Sequence, residues 1–285
     1  MTQTPATTTT TGTDAPAPIH TPHPLPEGMR AAFERDGWAR VPGVFTEDEL
    51  APFARAITAA TLRLNDQHVP LEERSTYDRA FLQVMNLWRE DAAARAFVEG
   101  KRLAKLAADL LGVRGVRLYH DQSLYKEPGG GLTPAHADQF YWPLSSDRTV
   151  TAWVPLQPVP MEMGPLGFYT GSQAHDEGRD LEISDESEAR ITANMEAAGY
   201  PLAMAPFAMG DVSFHRGWTF HKAGPNRTDA PRSVMTVIYM DADMTLTEPT
   251  NPMQQNDWDS WCPGAKVGAV IDTPLNPVLW EAEAA

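Results

Sequence analysis

The stretch "RTVTAWVPL" at residues 148–156 has the composition that decides the fold of this chain. Valine, threonine and tryptophan dominate it, and such β-branched and aromatic residues favour strands over helices. Three further runs have the same character and are separated by glycine and proline turns: "RGVRLYH" at 114–120, "GDVSFH" at 210–215 and "RSVMTVIYM" at 232–240. Short strands separated in this way predict a mainly β domain, either a sandwich or a barrel.

The first half of the chain is predicted to contribute helices and one early strand. Residues 27–64 have the pattern of a short helix, a strand at Trp38–Val41 and a second helix. The second helix is expected to begin after Thr46, because Glu49 stands three positions later and completes a capping box.

Two further helices are predicted from their spacing and their terminal residues. From Asp91 to Leu111, apolar residues at helical spacing indicate one helix that ends at Gly112 and packs against a sheet. Residues 184–199 have an acidic first turn and a closing glycine, which indicate a surface helix inserted between strands.

Length and composition indicate a single folded domain. A chain of 285 residues, 42% of them hydrophobic, can bury a sizeable core. Residues 1–27 are rich in threonine, proline and alanine, so we expect a disordered tail there. Residues 28–285 are then expected to form one domain, which ends in a tail that contains Trp258 and Trp261.

The charge and the cysteine content exclude several classes of function. The formal net charge is −15 and no basic cluster is dense, so nucleic acid is not an expected partner. No apolar run reaches the roughly 18 residues of a membrane span and no secretory signal is evident, so we expect no membrane partner and a cytoplasmic location. Cys262 is the single cysteine, which excludes an internal disulfide framework and a cysteine-built metal site within one chain. No heptad or apolar stripe indicates an oligomeric state.

Candidate metal ligands lie in "TPAHADQFYW" at residues 133–142. His136 and Asp138 are two positions apart in a run that is predicted to be a strand, so their side chains point to the same face. An iron or zinc site of this type needs at least one more ligand. Both His215 and His221 follow later in the chain, and spacing alone leaves the choice between them open.

The sequence "HAD" at 136–138, followed by "FHKAGPNRTDAPR" at 220–232, resembles the phytanoyl-CoA dioxygenase family of iron(II)/2-oxoglutarate oxygenases. The resemblance runs from "AAFERDGWARVPGVFTEDEL" at 31–50 to "SVMTVIYM" at 233–240. It implies an enzyme that uses Fe(II), with 2-oxoglutarate and dioxygen as cosubstrates. It also implies a cupin-like double-stranded β-helix, that is, an eight-stranded jelly roll in two sheets, with helices against one face and the iron between the sheets.

The same resemblance assigns roles to individual residues. His221 becomes the third metal ligand beside His136 and Asp138, and Arg232 binds the distal carboxylate of 2-oxoglutarate. A planar guanidinium suits that task because its donors can pair with both carboxylate oxygens. His215 is left as a packing residue or as a neighbour of the ligands.

Three further residues are expected near the cosubstrate on the same resemblance: Lys126, Gln122 and Trp153. Two positions depart from the family pattern. Ala137 stands where some members have glutamine, and Ala223 stands where a serine often contacts 2-oxoglutarate, so we expect cosubstrate contacts to differ in detail. Asp138 excludes the halogenating relatives, which have a small residue in its place, and hydroxylation is the expected outcome.

Aromatic residues are the candidates for the substrate pocket. Phe140, Tyr141 and Trp142 directly follow the first two ligands and either floor the pocket or form ordinary core. Trp258 and Trp261 either close over the site or fix the tail to the sheet. The chain is strongly acidic, so no cleft that would attract a polyphosphate is expected. The expected partner is therefore a small, partly apolar substrate of bacterial secondary metabolism and not a coenzyme A thioester.

Two other functions stay open at the level of sequence. The first is a redox-silent zinc or manganese isomerase or hydrolase on a similar sandwich, in which Arg232 has no evident role. The second is a non-catalytic binding protein, against which the complete set of ligands argues. The substrate, and the choice among hydroxylation, desaturation, epimerisation and ring closure, depend on pocket shape and not on these motifs.

Overall fold

Eleven β-strands build the core of the structure, a computed structural model that describes residues 18–283. In chain order they are β1 (Trp38–Val41), β2 (Leu82–Met85), β3 (Gly115–Lys126), β4 (Thr133–His136), β5 (Thr149–Pro155), β6 (Leu166–Tyr169), β7 (Leu202–Met204), β8 (Val212–Arg216), β9 (His221–Ala223), β10 (Arg232–Asp241) and β11 (Val278–Glu281). Antiparallel pairing joins them into two sheets. The larger sheet has the order β1-β8-β5-β10-β3-β11, with β2 also paired to β3, and the smaller sheet has the order β4-β9-β6-β7.

The strands from β3 to β10 form a double-stranded β-helix. The chain crosses repeatedly between the sheets, so that β3, β5, β8 and β10 lie in the larger sheet and β4, β6, β7 and β9 lie in the smaller one. These two sets of four strands are the cupin-like jelly roll that the sequence predicts, and that prediction is confirmed. Strands β1, β2 and β11 extend the larger sheet beyond this core.

Six α-helices accompany the strands within residues 18–283: α1 (Met29–Asp36), α2 (Glu47–Leu64), α3 (Ala92–Val98), α4 (Lys101–Leu111), α5 (Asp185–Ala198) and α6 (Pro252–Trp261). Short 3-10 helices lie at Pro18–His20, Leu71–Glu73, Leu87–Arg89, Asp138–Tyr141, Met161–Met163 and Ser172–Ala174. Helices α2 and α4 pack against the larger sheet, where α4 buries Leu103, Leu106 and Leu110. These helices cover one face of the sheet and the smaller sheet faces the other, so every residue of β10 is buried. None of the helices in this range has both the length and the hydropathy needed to cross a membrane.

The helix ends and the first strand that were predicted from local sequence signals are confirmed. Strand β1 has the predicted bounds, and the Thr46 hydroxyl accepts the Glu49 N–H while the Glu49 carboxylate accepts the Thr46 N–H. Gly112 ends α4 in the left-handed conformation, with φ 66°. The inserted helix α5 lies between the caps Ser184 and Gly199. These features depend on residues within one or two turns of each other, which is why the sequence reveals them.

The single helix predicted from Asp91 to Leu111 is wrong, because the segment forms two helices. Helix α3 ends at Val98 and α4 begins at Lys101. Between them Gly100 has an extended backbone, with ψ 118°, and a β-carbon there would lie 2.4 Å from Cγ1 of Ile19. The break thus lies where the chain packs closely against a residue far earlier in the sequence, a contact that helical spacing within the segment does not show.

Packed structure begins before residue 28, where the sequence places the start of the domain. Ile19 is 6% exposed and belongs to the main hydrophobic core. The Nε of Arg102 donates to the carbonyl oxygen of Thr21 at 2.9 Å. Ile19 and Thr21 thus contact the domain, and residues 1–17 of the expected tail lie outside the described residues.

Candidate active site

Three candidate ligands meet where strands β4 and β9 pair. His136 is the last residue of β4 and His221 the first residue of β9; they are partners in the register, with ring centroids 4.2 Å apart. Asp138 lies two residues beyond His136. One potential ligand atom from each of the three residues lies within 4.8 Å of the others. The structure therefore brings together side chains from two distant segments in one arrangement that can hold a metal ion.

Asp138 reaches this position from a turn. The sequence predicts one strand through this region, but β4 ends at His136 and a 3-10 helix begins at Asp138, so the continuous strand is wrong. Between them Ala137 keeps an extended backbone, with φ −124° and ψ 129°. Side chains of extended residues alternate. His136 and Asp138 therefore share a face although only one of them belongs to the strand.

Both candidate imidazoles are oriented by a backbone carbonyl two residues upstream. The Nδ1 of His136 lies 2.8 Å from the carbonyl oxygen of Pro134, and the Nδ1 of His221 lies 2.9 Å from that of Thr219. With Nδ1–H donated to these carbonyls, Nε2 carries the free lone pair. The Nε2 atoms lie 3.5 Å and 3.6 Å from the same oxygen, Oδ1 of Asp138. The two rings thus present equivalent nitrogen atoms to one point.

The two oxygens of the Asp138 carboxylate make different contacts. While Oδ1 faces the candidate ligands, Oδ2 accepts hydrogen bonds from Oγ1 of Thr151 at 2.9 Å and from Nε2 of His215 at 3.1 Å. Burial alone would raise the pKa of Asp138, but His221, His136 and His215 outweigh it and hold that pKa well below its ordinary value. The carboxylate is therefore ionised and held in one orientation, as a metal ligand requires.

The third histidine of the cluster, His215, supports the carboxylate. Its ring centroid lies 4.3 Å from that of His221, and its contact is with the oxygen of Asp138 that faces away from the candidate ligands. Burial, and then electrostatic interaction with the neighbouring rings of His136 and His215, lower the pKa of His221 well below its ordinary value. His221 is thus a neutral imidazole, the form that binds metals.

Two basic side chains lie fully buried at the start of β10 and the end of β3. Arg232 and Lys126 are register partners, and burial lowers the pKa of Arg232 to about 10. Burial, and then the charge of Arg232, lower the pKa of Lys126 well below its ordinary value. Arg232 donates from Nη1 to the carbonyl oxygen of Gly164, and its Nε has no hydrogen-bond partner within the described residues. This end of the site is therefore ready to accept an anion.

Of the three other residues expected near the cosubstrate, two line the cavity and one does not. Gln122 and Trp153 line the same cavity as Arg232, with the Arg232 guanidinium carbon 5.6 Å from the Trp153 ring centroid. Lys126 is not among the lining residues; its amine donates to the carbonyl oxygens of Gly131 and Gly224. It therefore contributes to this end of the site by holding these two loops.

Residues between Tyr77 and Trp261 line this cavity, which has a volume of about 250 Å³. Of the aromatic residues singled out by sequence, Tyr141 and Trp142 line it, whereas Phe140 and Trp258 do not. Trp261 lines it in place of Trp258, since it lies one helical turn after Asp257 on α6 and shares its face. Trp258 turns to the following segment, where its Nε1 donates to the carbonyl oxygen of Ala265 at 3.2 Å.

Several lining residues carried no strong signal in the sequence. Tyr77 lies in a turn and Ile183 in a bend, outside any periodic element. His120 could have been found, because it precedes Gln122 and Leu124 at alternate positions of β3, and all three line the cavity.

Two of the lining residues, Asp257 and His120, have pKa values that burial shifts towards their uncharged forms. Burial raises the pKa of Asp257 to about 7, and Oδ2 of this residue accepts a hydrogen bond from the hydroxyl of Tyr119 at 3.0 Å. Burial also lowers the pKa of His120 to about 4, so its imidazole is neutral near pH 7. Nδ1 of His120 has no hydrogen-bond partner within the described residues.

Comparison with known sequences gives one family and several relatives. The family model described as phytanoyl-CoA dioxygenase (PhyH) matches residues 33–234, a segment that includes His136, Asp138, His221 and Arg232. The chain is 25% identical over 158 residues to a probable alpha-ketoglutarate-dependent hypophosphite dioxygenase of Stutzerimonas stutzeri, an alignment that covers 53% of this chain and 54% of the relative. It is 22% identical over 283 residues to a phytanoyl-CoA dioxygenase domain-containing protein 1 homolog of Caenorhabditis briggsae, covering 80% and 96%. The chain thus spans about half the length of the first of these curated relatives.

Comparison with solved structures extends the likeness to most of the chain. The carbocyclase SnoK from nogalamycin biosynthesis is 25% identical, with a TM-score of 0.73 over 89% of this chain and 96% of that one. The epimerase SnoN, in complex with Fe3+, alpha ketoglutarate and nogalamycin RO, is 29% identical, with a TM-score of 0.72 over 89% and 98%. EctD from S. alaskensis, with 2-oxoglutarate and 5-hydroxyectoine, is 19% identical with a TM-score of 0.67 over 89% and 90%, and shows the shared fold alone.

Proposed function

The chain belongs to the phytanoyl-CoA dioxygenase family, and from this premise we propose that it is an iron(II)- and 2-oxoglutarate-dependent oxygenase acting on a small organic metabolite. The observation that carries the proposal is the convergence of His136, Asp138 and His221, with ligand atoms within 4.8 Å of one another, in a cavity that also contains the buried Arg232. When bound, iron and 2-oxoglutarate supply the oxidising chemistry, in which dioxygen converts the cosubstrate to succinate and carbon dioxide and hydrogen is removed from the substrate.

The three ligand candidates fit iron(II) in donor type and in protonation. Two imidazole nitrogens and one carboxylate oxygen are the donor set of non-haem Fe(II) oxygenases. Asp138 is ionised and His221 is neutral, as argued above from their pKa shifts. We assign these two residues and His136 as ligands, with His215 and Thr151 holding the carboxylate of Asp138.

The basic end of the cavity fits the distal carboxylate of 2-oxoglutarate. Within residues 18–283, neither Arg232 nor Lys126 forms an ion pair, although both are fully buried. An uncompensated buried charge is costly, and an anionic cosubstrate removes that cost. We assign Arg232 to direct contact with this carboxylate, and we place Gln122 and Trp153 along the cosubstrate. Lys126 stabilises the same anion without lining the cavity.

The hydrogen-bonding chain behind Gln122 leaves its amide group free to donate. The hydroxyl of Tyr77 donates to Oε1 of Gln83 at 3.1 Å, and Nε2 of Gln83 donates to Oε1 of Gln122 at 2.6 Å. Because Oε1 of Gln122 is occupied as an acceptor, its Nε2 is the group that faces the cavity as a donor. This orientation suits an anionic cosubstrate.

The basic pocket also argues against the redox-silent alternative. A hydrolase or isomerase that uses only the metal has no need for a buried guanidinium beside the ligands. Among the described residues the Nε of Arg232 has no hydrogen-bond partner, so burial of this group is costly unless an anion binds there.

The outer part of the cavity supports a compact, partly apolar substrate with a polar group. Tyr141, Trp142 and Trp261 give it aromatic walls, while Asp257 adds a carboxyl group and His120 a ring nitrogen without a partner among the described residues. Among the described residues that line the cavity, Arg232 is the one lysine or arginine. The pyrophosphate of a coenzyme A thioester would therefore find no cation there, which favours a substrate without coenzyme A.

We propose hydroxylation as the outcome and bacterial secondary metabolism as the setting. The likeness to SnoK and SnoN, both from nogalamycin biosynthesis, supports the setting. The same two relatives are a carbocyclase and an epimerase, so ring closure or epimerisation is a second candidate outcome. In each case the residues described here would position one carbon–hydrogen bond of the substrate beside the metal ligands.

Succinate formation across a panel of candidate metabolites tests the proposal. Turnover is expected to need Fe(II), 2-oxoglutarate and air together, and to be absent in Asp138→Ala but present in Asp259→Ala, an exposed acidic control on α6. Mass spectrometry of the product distinguishes the outcomes: gain of one oxygen for hydroxylation, loss of two hydrogens for ring closure, and no change for epimerisation. Stimulation of turnover by acyl-CoA compounds alone would refute the proposed substrate class.

A further inference from the structure

We propose that Glu188, on the inserted helix α5, is a positioning residue that holds the two histidine-bearing strands at the separation needed to bind iron. The inference rests on the proposed function, because it takes His136 and His221 as ligands. Glu188 lies on the side of the smaller sheet that faces away from the cavity, where α5 packs against β4.

The ladder between β4 and β9 is interrupted beside the ligands. Thr133 of β4 pairs with Ala223 of β9. The next register pair is His136 with His221, and the register shifts between the two pairs. Pro134 lies in this gap and has no N–H to donate. Because β4 is also the end strand of its sheet, main-chain hydrogen bonds alone fix the spacing of the two histidines weakly.

The carboxylate of Glu188 spans this gap. Its Oε2 accepts the N–H of Ala135 at 2.8 Å, and its Oε1 pairs with the ammonium group of Lys222. Ala135 directly precedes His136, and Lys222 directly follows His221. One carboxylate therefore bonds to the neighbour of each histidine and ties β4 to β9 where the ladder is irregular. The side chains of Glu188 and Lys222 are 23% and 17% exposed, so water screens the pair only in part.

Helix α5 is itself fixed to the strands that carry the ligands. Ile191 and Met195 are fully buried and form one cluster with residues that flank the histidines: Ala135, Ala137 and Phe220. Since side chains alternate along a strand, the histidines face the cavity while these neighbours face α5. Thr192, one turn after Glu188, accepts a hydrogen bond from Nζ of Lys222 at 3.2 Å. A well-packed helix thus presents Glu188 to both strands from behind.

Iron binding by the full-length chain tests this role directly. Fe(II) is titrated without oxygen against a competing chelator, and Glu188→Ala is expected to weaken the affinity by roughly 10–100-fold, the range for residues that orient metal ligands. Glu188→Gln keeps an acceptor for the N–H of Ala135 but removes the charge, so an intermediate loss is expected. The matched control is Glu186→Gln on the same helix, which breaks an exposed pair with Arg190 and is expected to change the affinity by less than about 2-fold.

Thermal unfolding of each variant, followed by circular dichroism, separates positioning from general stability. A merely structural role would lower the unfolding temperature and leave the Fe(II) affinity of the folded chain unchanged, and that result for Glu188→Ala would overturn the inference. If Glu188→Ala does not fold, the same comparison is made with Glu188→Gln. A wild-type chain that binds Fe(II) but gives no visible band with 2-oxoglutarate overturns the proposed function and leaves the comparison at Glu188 valid. A wild-type chain that binds no Fe(II) overturns both.

Discussion

Within residues 18–283, Arg232 and Asp121 are buried on opposite faces of the larger sheet, and neither forms an ion pair. Arg232 faces the cavity, and Asp121 on β3 faces the helices, near the backbone N–H of Trp88. A buried group in this situation either takes its neutral form or needs a partner from outside. The guanidinium, with a pKa of about 10, stays charged near neutral pH and is suited to an anion, whereas the carboxyl, with a pKa of about 8, takes up a proton.

Arg232→Lys is expected to raise the KM for 2-oxoglutarate by roughly 10–100-fold, because a lysine keeps the charge but loses the planar fork. Succinate formation at varied 2-oxoglutarate gives the KM, and the Fe(II) affinity is expected to stay unchanged. The matched control is Arg227→Lys, at an exposed arginine of the preceding loop. A KM equal to that of the wild type would remove Arg232 from the cosubstrate site.

Asp121 makes the stability of the fold depend on pH. Burial raises its pKa to about 8 from the ordinary value of 3.8, which the unfolded chain retains. Between these two values the folded chain holds a proton that the unfolded chain has released. The free energy of unfolding therefore falls as the pH rises from about 4 to about 8.

Asp121→Asn is expected to remove this dependence. Between about pH 5 and about pH 8.5, the free energy of unfolding of the wild type should fall by on the order of 3 kcal/mol more than that of the variant. Urea denaturation at the two pH values measures the difference. Parallel pH dependences in the two proteins would show that Asp121 titrates normally.

At the scale of elements, the larger sheet depends on the helices that cover its outer face. Helix α4 contacts β3, β5 and β10, and its residue Leu106 is fully buried. Such packing holds β3 and β10, the two strands that carry Gln122 and Arg232, in one rigid layer.

Leu106→Ala is expected to lower the free energy of unfolding by about 2–5 kcal/mol, because a cavity remains in a fully packed core. Leu62→Ala on α2 is the control; this leucine is 49% exposed, so a change below about 0.5 kcal/mol is expected. Urea denaturation of both variants makes the comparison. Equal losses would mean that α4 does not anchor the sheet.

Elements with local signals could be predicted from the sequence, and elements decided by distant contacts could not. The capping box of Thr46 and Glu49 and the caps of α5 follow from residues a few positions apart. The break at Gly100 lies instead at a close contact with Ile19, about 80 residues earlier, which no local pattern reveals. Helix α6 lacked clear periodicity in the sequence, and its packing decides that Trp261 lines the cavity while Trp258 does not.

At the scale of the whole molecule, the proposed ligands could be selected from the sequence because their motifs are compact. His136 and Asp138 are two residues apart, and His221 and Arg232 lie in one short segment. The outer wall of the cavity is different, since it gathers single residues from four separate parts of the chain: Tyr77, His120, Ile183 and Asp257. No spacing within one segment connects them, so the substrate side emerges only from the folded chain.

The molecule as a whole is acidic, with a formal net charge of −15, yet its cavity ends at the buried guanidinium of Arg232. The negative charge is carried largely by exposed side chains, which solvent and salt screen. The buried charge of Arg232 is screened far less. We therefore expect the buried charge at the cavity, and not the net charge of the whole chain, to determine which small anion binds.

Visible absorption without oxygen tests the central claim most directly, namely that three side chains and Arg232 hold iron(II) and 2-oxoglutarate together. Addition of both to the wild-type chain is expected to produce a weak charge-transfer band that neither produces alone. The band should be absent in His221→Ala and should need more 2-oxoglutarate in Arg232→Lys. A wild-type chain that binds Fe(II) and develops no band at saturating 2-oxoglutarate would contradict the claim.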